Sequence, residues 1–359
     1  MVAPELTSRE RVRLALEHRQ TDRVPIALVC SGINEPARTQ FDALLRCERG
    51  IGLHQYLNDI LDIQPADVPY AGPPLAPGTD IWGVGRRPVC YGDGTYDEII
   101  QYPLAQANDV RDLDKHQWPT PRFYDYGVLP ERIAAARSDR NHCLMLANGN
   151  IFETSWYMRG FERIFMDMVM NPELVHAIMG RVADFLVEHF TRALAAANGE
   201  IGLVFTADDI GGQQGLLISL DMWQEFIKPC HVRLNKAIHS FGAKVIYHSD
   251  GGIMQAVFGL IDMGIDVLQA LQFDAAGMDP AILKQRYGHR LCFQGGASVQ
   301  RTLPFGSAEQ VQDEVRHLIS VLGRGGGYIF GPSHAIHAGT PPENVLAMFE
   351  TALHWGPAR

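Results

Sequence analysis

AKVIYHSDG, residues 243–251, is a short apolar run that ends in a histidine, a serine, an aspartate and a glycine. A run of this length with β-branched and aromatic residues predicts a buried strand that stops at His248. Similar short apolar runs recur along the chain, and each is followed by a segment with helical character. Short buried strands that alternate with helices indicate parallel strand–helix–strand units.

About seven or eight such units can be counted. No GxGxxG motif follows the first strand, and the glycine-rich residues 325–327 lead into a strand rather than a helix. The pattern therefore predicts an α/β fold, a closed (β/α)8 TIM-like barrel, rather than a doubly wound sheet. The predicted strands are at residues 24–29, 142–147, 201–209, 243–248, 266–271, 290–296 and 327–334.

The chain is expected to form one barrel domain over residues 1–359. Residues 35–120 are rich in Pro, Gly and Tyr and are less regular, so they are interpreted as an N-terminal insertion with a hairpin that forms part of the substrate pocket. We predict continuous helices over residues 153–170, 172–197 and 218–240.

Composition excludes several classes of partner. The net charge is −10 and no basic block occurs, which argues against nucleic acid and anionic membranes. The six cysteines include no CxxC pair, so reduced thiols in the cytoplasm are expected rather than a disulfide framework. We expect neither a signal peptide nor a membrane span, because the first 20 residues lack an apolar core and no apolar stretch of 18 residues occurs.

Polar side chains follow almost every predicted strand, at the end of the barrel where such folds carry their chemistry. We expect them to meet at one rim. They are Asn148, Asn150 and Glu153, then Asp208 and Asp209, then His248 and Asp250, and finally Gln294 and His334.

Each of these residues also has a structural interpretation. Asp208 or Asp209 could cap a turn, the Asn148–Asn150 stretch resembles a turn, and the carboxylate of Glu153 suits a helix N-terminus. Gln294 could pair with backbone alone, and His337 is expected to be exposed. Because the polar residues recur at strand ends, a functional site is the favoured interpretation.

The side chains of His248 and Asp250 are two residues apart and therefore point to the same side of an extended segment. Together with His334 they form a set of two imidazoles and a carboxylate, which is a known catalytic zinc set. The same groups could instead serve as acids and bases. A serine or cysteine nucleophile is disfavoured, because no GxSxG motif occurs and Cys292 lies within a strand.

Motifs along nearly the whole chain resemble the uroporphyrinogen decarboxylase superfamily, which includes zinc- and corrinoid-linked methyltransferases. The matching segments are RERVRLALEHRQTDRVPI (9–26), FETSWYMRGFERIFMDM (152–168), ADDIGGQQGLLIS (207–219), YHSDGGI (247–253), FQGGASVQRTLPFG (293–306) and GGGYIFGPSHAIHAGTPPENV (325–345). The resemblance implies a TIM-like barrel, in agreement with the strand pattern.

Two departures from the family patterns bear on the substrate. Uroporphyrinogen decarboxylases carry an arginine-rich N-terminal motif for the substrate's carboxylates, whereas residues 27–36 read ALVCSGINEP. The thiol-methylating branch typically has His-x-Cys and a later Cys, where this chain has His248, Asp250 and His334. Such harder ligands imply a more Lewis-acidic zinc that suits an ether or amine.

The resemblance therefore implies a zinc-dependent methyltransferase that demethylates a small methoxylated or methylated compound. A corrinoid would be the acceptor, carried on a separate protein because no DxHxxG segment is present. His248, Asp250 and His334 would hold zinc. Glu153, Asp208 and Asp209 would be catalytic, while Asn148, Asn150 and Gln294 would bind substrate.

Two alternatives stay open at this point. One is a metal-free decarboxylase or related lyase in which Asp208 or Asp209 stabilises a cationic intermediate and the histidines donate protons. The other is a non-catalytic barrel that binds a ligand without turnover. A homodimer is possible, since superfamily members are often dimers.

Overall fold

A computed structural model describes residues 5–29, 32–92 and 94–356. Its strands are β1 (Ile63–Pro65), β2 (Gly85–Tyr91), β3 (Gly94–Gln101), β4 (Cys143–Asn150), β5 (Ile201–Ala207), β6 (Gly211–Gly212), β7 (Gly215–Leu216), β8 (Lys244–His248), β9 (Val267–Ala270), β10 (Cys292–Ala297) and β11 (Tyr328–Pro332).

The α-helices are α1 (Ser8–Leu16), α2 (Ala37–Arg49), α3 (Leu53–Ile60), α4 (Leu129–Asp139), α5 (Phe152–Arg159), α6 (Phe161–Met170), α7 (Pro172–Ala197), α8 (Leu220–Met222), α9 (Lys228–His239), α10 (Val257–Met263), α11 (Pro280–Tyr287), α12 (Thr302–Phe305), α13 (Ala308–Leu322) and α14 (Pro342–His354). A π-helical turn (Trp223–Ile227) joins α8 to α9, and 3₁₀ turns cover Val110–Lys115, Pro121–Phe123 and Tyr126–Val128.

Seven parallel strands form one curled sheet in the order β1-β4-β5-β8-β9-β10-β11. The predicted TIM-like barrel is confirmed by this topology, in which helices connect successive strands. Parallel pairing places the carboxyl ends of all these strands at the same end of the barrel, and that end is called the mouth below.

Residues 24–29 close the barrel between β11 and β1. Phe330 donates its backbone N–H to Pro25 (2.7 Å) and accepts from Ala27 (2.9 Å), and Asp62 donates its backbone N–H to Ile26 (2.8 Å). The segment forms only a single bridge, Ile26 to Phe330, so the strand predicted here is much shorter than residues 24–29. The eighth position of the barrel is nevertheless filled.

The barrel interior holds a compact apolar cluster that includes Phe205, Ile246, Val267, Cys292 and Ile329. Alternate side chains of a strand lie on the same face, so the side chain two residues after each of these positions also points into the barrel. His248 follows Ile246, Gln269 follows Val267, and Gln294 follows Cys292 by two residues. A layer of polar side chains therefore lies directly above the apolar interior, at the mouth.

The predicted hairpin in the insertion is confirmed as β2 paired with antiparallel β3. Its turn lies beside the loop after β11, because a Cβ added at Gly94 would lie 3.0 Å from the Cβ of Ala338. The interval 35–120 is not wholly outside the barrel, however. It also supplies barrel strand β1, which pairs with Cys143–Met145 of β4 and was too short to predict.

Two predicted helices are interrupted. Gly160 has φ of +103° and separates α5 from α6, and the π-helical turn interrupts the segment 218–240. Gly160 adopts a conformation that L-residues rarely tolerate, which explains the break. The five cysteines that the structure describes are free thiols, while Cys30 lies outside the described residues. No helix in the described part of the chain is long and apolar enough to cross a membrane.

Candidate metal centre at the barrel mouth

His248 ends β8 and is almost fully buried. Its Nδ1 atom is hydrogen-bonded to the amide oxygen of Gln269 on the neighbouring strand β9, and Gln269 donates to the backbone carbonyl of Ser333 (3.4 Å). An amide oxygen can only accept, so Nδ1 carries the proton and Nε2 is left with its lone pair. The ring is therefore oriented with Nε2 as a ligand or base, facing Asp209 and Asp250.

His248, Asp250 and His334 come together at the mouth, with one donor atom from each within 4.8 Å of the others. Asp250 lies between the two histidines, with Oδ1 3.9 Å from Nε2 of His248 and Oδ2 3.9 Å from Nε2 of His334. Its Oδ1 atom is buried and accepts no hydrogen bond from any described residue. Burial raises the pKa of Asp250, and the two imidazoles partly oppose that rise.

The glycines after Asp250 are required by close backbone packing. Gly251 has φ of +86°, and a Cβ there would lie 2.5 Å from the carbonyl carbon of Gly211. Gln272 fixes the same turn, because its side-chain oxygen accepts the backbone N–H of Gly251 (2.7 Å). The HSDGG sequence thus forms a tight turn that is held from two sides and aims Asp250 at the histidines.

Asp209 lies beside the centre and also supports its geometry. Its Oδ1 atom accepts the backbone N–H of Asp250 (2.8 Å) and lies 3.5 Å from Nε2 of His248. The carboxylate is only partly buried, so it can contact both the turn and a bound ligand. Asp209 is therefore placed where a catalytic or orienting role is geometrically possible.

Asp208 points away from the mouth and is fully buried with His231 of α9. The Nε2 atom of His231 donates to Oδ2 of Asp208 (2.5 Å), and Oδ1 accepts the backbone N–H of Glu153 (2.8 Å). Both carboxylate oxygens are thus engaged within the protein. This geometry allows Asp208 to position the start of α5 and the ring of His231, while its predicted catalytic role stays a prediction.

Glu153 lies in the first turn of α5 and is buried next to Asp208 and Asp209. Asn150 donates to Oε2 (2.5 Å) and the hydroxyl of Tyr157 donates to Oε1 (3.1 Å). Burial, reinforced by the charges of Asp209 and Asp208, raises the pKa of Glu153 to about 8. The side chain therefore holds a proton at neutral pH and is a candidate general acid.

Replacing Glu153 with glutamine should flatten the pH dependence of stability in the metal-free protein. Because its folded pKa of about 8 lies above the ordinary value of 4.5, the folded protein binds more protons than the unfolded chain in this window. Stability therefore falls as pH rises from about 5 to 8, and between pH 6 and 8 the wild type should lose about 2 kcal/mol more than the variant. Urea unfolding at each pH measures the difference.

Glu162→Gln on the exposed surface of α6 is the matched control, and it should follow the wild-type curve. Parallel curves for the wild type and Glu153→Gln would show that Glu153 is ionised at neutral pH.

The three residues predicted to bind substrate occupy different environments. Asn148 is exposed at the end of β4 with φ of +74° and lines a cavity that is described below. Asn150 is half-buried and directs its amide to Glu153. Gln294 is fully buried inside the barrel, where Nε2 donates to the carbonyl of Ala27 (3.5 Å) and Oε1 has no partner among the described residues.

Several residues near the centre were not predicted from the sequence as part of the site. His231 gave no signal because it lies within an amphipathic helix, far from any strand end. His337 was expected to be exposed but is half-buried. Burial lowers the pKa of His337, the nearby His334 lowers it further, and Asp250 partly opposes the decrease. Arg86 of the hairpin lies 5.2 Å from the ring of Tyr157, the residue that donates to Glu153.

Comparison with known proteins gives consistent results. Residues 88–355 match the family model described as uroporphyrinogen decarboxylase (URO-D). The uroporphyrinogen decarboxylases of Vibrio cholerae and Vibrio vulnificus are 26% and 24% identical, each over 77% of this chain and 75% of the relative. A methyltransferase from Methanosarcina mazei superposes over 97% of this chain and 98% of its own, with a TM-score of 0.65 and 18% identity.

The family match covers more than half of the chain and includes β8, β10 and β11. His248 lies in β8, Gln294 lies in β10, and His334 lies two residues after β11. The structural likeness at 18% identity shows a shared fold. The chain belongs to the uroporphyrinogen decarboxylase family.

Proposed function

We propose that this protein is a zinc-dependent methyltransferase that removes a methyl group from a small methoxylated or methylated compound and passes it to a corrinoid carried by a separate protein. The observation that carries the proposal is the convergence of His248, Asp250 and His334, with donor atoms within 4.8 Å of one another. The methyltransferase from Methanosarcina mazei, which has the same fold, supports the choice of reaction class.

The residues at the mouth fit a zinc ion. His248 presents Nε2 because Nδ1 is hydrogen-bonded to Gln269, and a carbonyl or amide partner on the other ring nitrogen is the usual arrangement for zinc-bound histidine. Asp250 Oδ1 is a buried carboxylate oxygen without a hydrogen bond from the described residues, which a cation would satisfy. Two histidines and a carboxylate leave a fourth position for substrate.

When bound, zinc would supply Lewis acidity to the heteroatom that carries the methyl group. Glu153 is buried nearby with its proton and would transfer it to the departing oxygen or nitrogen. The carbon–heteroatom bond breaks with its electron pair on the heteroatom, while the nucleophilic acceptor supplies the pair for the new bond to methyl. Asp209 would keep the Asp250 turn and His248 in register.

The set of nitrogen and oxygen donors argues for an ether or amine donor rather than for methylation of a thiol. Thiolate ligands would give an electron-rich zinc that suits a bound substrate thiolate, whereas imidazole and carboxylate leave more positive charge on the metal. A leaving alkoxide or amine benefits more from that charge, because it is a poor leaving group.

The test is single-turnover methyl transfer to cob(I)alamin from a panel of methoxylated and methylated compounds. The loss of the cob(I)alamin absorbance measures the rate of transfer. The zinc-loaded wild type and the exposed variant His354→Ala should transfer methyl from at least one donor at equal rates. Glu153→Gln should be slower by about 100-fold or more, since general acid catalysis contributes about 10²–10⁴-fold. Failure of every donor with zinc-loaded protein would contradict the proposal.

A second candidate function is decarboxylation without a metal, favoured by the family match and by relatives named uroporphyrinogen decarboxylase. In this case Asp209 would stabilise a cationic intermediate at the mouth, because the carboxylate of Asp208 is engaged by His231 and α5. Release of CO₂ from a small aromatic or pyrrolic acid by chelator-treated protein would support this function, and methyl transfer that requires zinc would exclude it.

A further inference from the structure

A concave region, called here the side cavity, lies at the carboxyl ends of β1 and β4, on the side of the barrel that faces α7. It has a volume of about 550 Å³, and its walls include Ala66, which directly follows β1, and Asn148 at the end of β4. Helix α7 and the loop between β1 and β2 form further walls, represented by Phe185 and Trp82, and Tyr124 and Thr154 also line the cavity. This volume is in the range of pockets that hold small organic ligands.

Aromatic rings form much of the wall. The centroids of Trp82 and Phe185 are 4.9 Å apart, and those of Tyr124 and His189 are 4.6 Å apart. Phe185 and His189 are stacked within 9° of parallel. Flat rings held in mutual contact present a rigid apolar surface that suits a planar ligand at low entropic cost.

The charged groups at the side cavity would not balance an anionic ligand. Among the described residues that line it there is no lysine or arginine, and Asp67 is an exposed carboxylate. The nearby guanidinium of Arg132 donates to the backbone carbonyl of Asp67 and is not itself part of the lining. Asp80 is paired with Arg86 at 2.5 Å, so that pair contributes no net charge. Burial lowers the pKa of His189 to about 4, so this imidazole is neutral near pH 7.

Hydrogen bonds connect the side cavity with the candidate catalytic acid. Thr154 lines the cavity and its hydroxyl donates to the backbone carbonyl of Asn150 (2.7 Å). The side chain of Asn150 in turn donates to Glu153 (2.5 Å). A ligand seated in the cavity would therefore lie next to the first turn of α5, which carries the proton donor.

We propose that the side cavity binds the ring of a small planar aromatic compound that is uncharged or cationic, and discriminates against carboxylated analogues. An anion would lose its hydration without gaining a cationic partner. A neutral ring packs against the aromatic wall, and a cation is in addition attracted to the ring faces and to the carboxylate of Asp67. That this compound is the methyl donor rests on the proposed function, whereas its binding does not.

The test uses three probes that share a ring and differ in charge: 4-methoxybenzyl alcohol, 4-methoxybenzylamine and 4-methoxybenzoate. Binding to chelator-treated protein is measured by calorimetry, so that zinc plays no part. The alcohol and the amine should bind with dissociation constants of about 1 mM or lower, and the benzoate about tenfold more weakly or worse. Benzoate binding as tight as that of the alcohol, or no binding of any probe, would overturn the proposal.

A pair of matched variants tests the location. Leu75 lines the side cavity and Leu217 lies in the loop near β7, and both side chains are 43% exposed. Leu75→Trp should fill part of the cavity and weaken binding of the alcohol about tenfold, whereas Leu217→Trp should leave it unchanged. Asp67→Asn should reduce the preference for the amine over the benzoate. Equal binding by both tryptophan variants would remove the assignment to this cavity.

The outcomes distinguish failure of the cavity assignment from failure of the proposed function. Selective binding without methyl transfer in the zinc-loaded protein would contradict the proposed function and leave the cavity assignment in place. Methyl transfer from aromatic donors, with both the KM and the calorimetric affinity for the alcohol unchanged in Leu75→Trp, would overturn the cavity assignment and leave the proposed function in place.

Discussion

Replacing Asp250 with alanine is expected to weaken zinc binding by about 100-fold or more. Asp250 lies between His248 and His334 and supplies the only carboxylate of the three converging groups. Loss of groups that merely orient metal ligands typically costs 10–100-fold in affinity, so loss of a direct ligand should cost at least as much as the upper end of that range. Competition with a chromophoric zinc chelator measures the affinity.

Graded variants make this prediction specific. Gln269→Ala removes the group that orients His248, together with its hydrogen bond to the carbonyl of Ser333, and should weaken zinc binding by about 10-fold. His354→Ala removes an exposed histidine on α14 and should not change the affinity. Equal affinities for wild type and Asp250→Ala would show that the carboxylate is not a ligand, and the His248–Asp250 pair would then be better explained as an acid–base pair.

Replacing Asp208 with alanine should lower the free energy of unfolding by about 3–5 kcal/mol, because two buried donors would lose their acceptor and each unsatisfied donor costs about 1–3 kcal/mol. His231 would lose the acceptor of its Nε2 proton and the backbone N–H of Glu153 would lose its acceptor, both in buried surroundings. Asp208→Asn keeps the shape of the side chain and should cost less, about 1–3 kcal/mol.

Asp184→Ala is the matched control for Asp208. Asp184 contacts a basic residue, Arg233, at the surface, where Asp184 is 69% exposed, so its removal should cost about 1 kcal/mol or less. Urea unfolding gives both values. If Asp208→Ala were as stable as Asp184→Ala, the buried contacts with His231 and α5 would not stabilise the fold as described.

The barrel could be predicted from the sequence because its strands are short apolar runs that end in polar residues. Residues 201–209 and 243–248 show this pattern clearly, and β5 and β8 lie within two residues of the predicted bounds. Strand β1 could not be predicted, because three residues of sequence IQP are too few to show a period and include a proline. Its place is determined by pairing with β4, which is tertiary information.

The candidate site was predicted in part. The side chains of His248, Asp250 and His334 come from distant parts of the sequence, and their convergence followed only because parallel strands end at one mouth. The different roles of Asp208 and Asp209 could have been anticipated from strand alternation, since Ala207 faces inward and the next side chain must face the helices. The pairing of Asp208 with His231 could not have been anticipated, because the sequence of a helix does not show which strand end its side chains contact.

The most direct test of the proposed centre is zinc X-ray absorption spectroscopy on tag-free protein that has been loaded with zinc and gel-filtered. The proposal predicts about one zinc per chain, bound only by nitrogen and oxygen at about 2.0–2.2 Å, with the outer-shell scattering of two imidazoles that is lost in part in His334→Ala. A sulfur ligand at about 2.3 Å, or protein that retains no zinc after gel filtration, would contradict it.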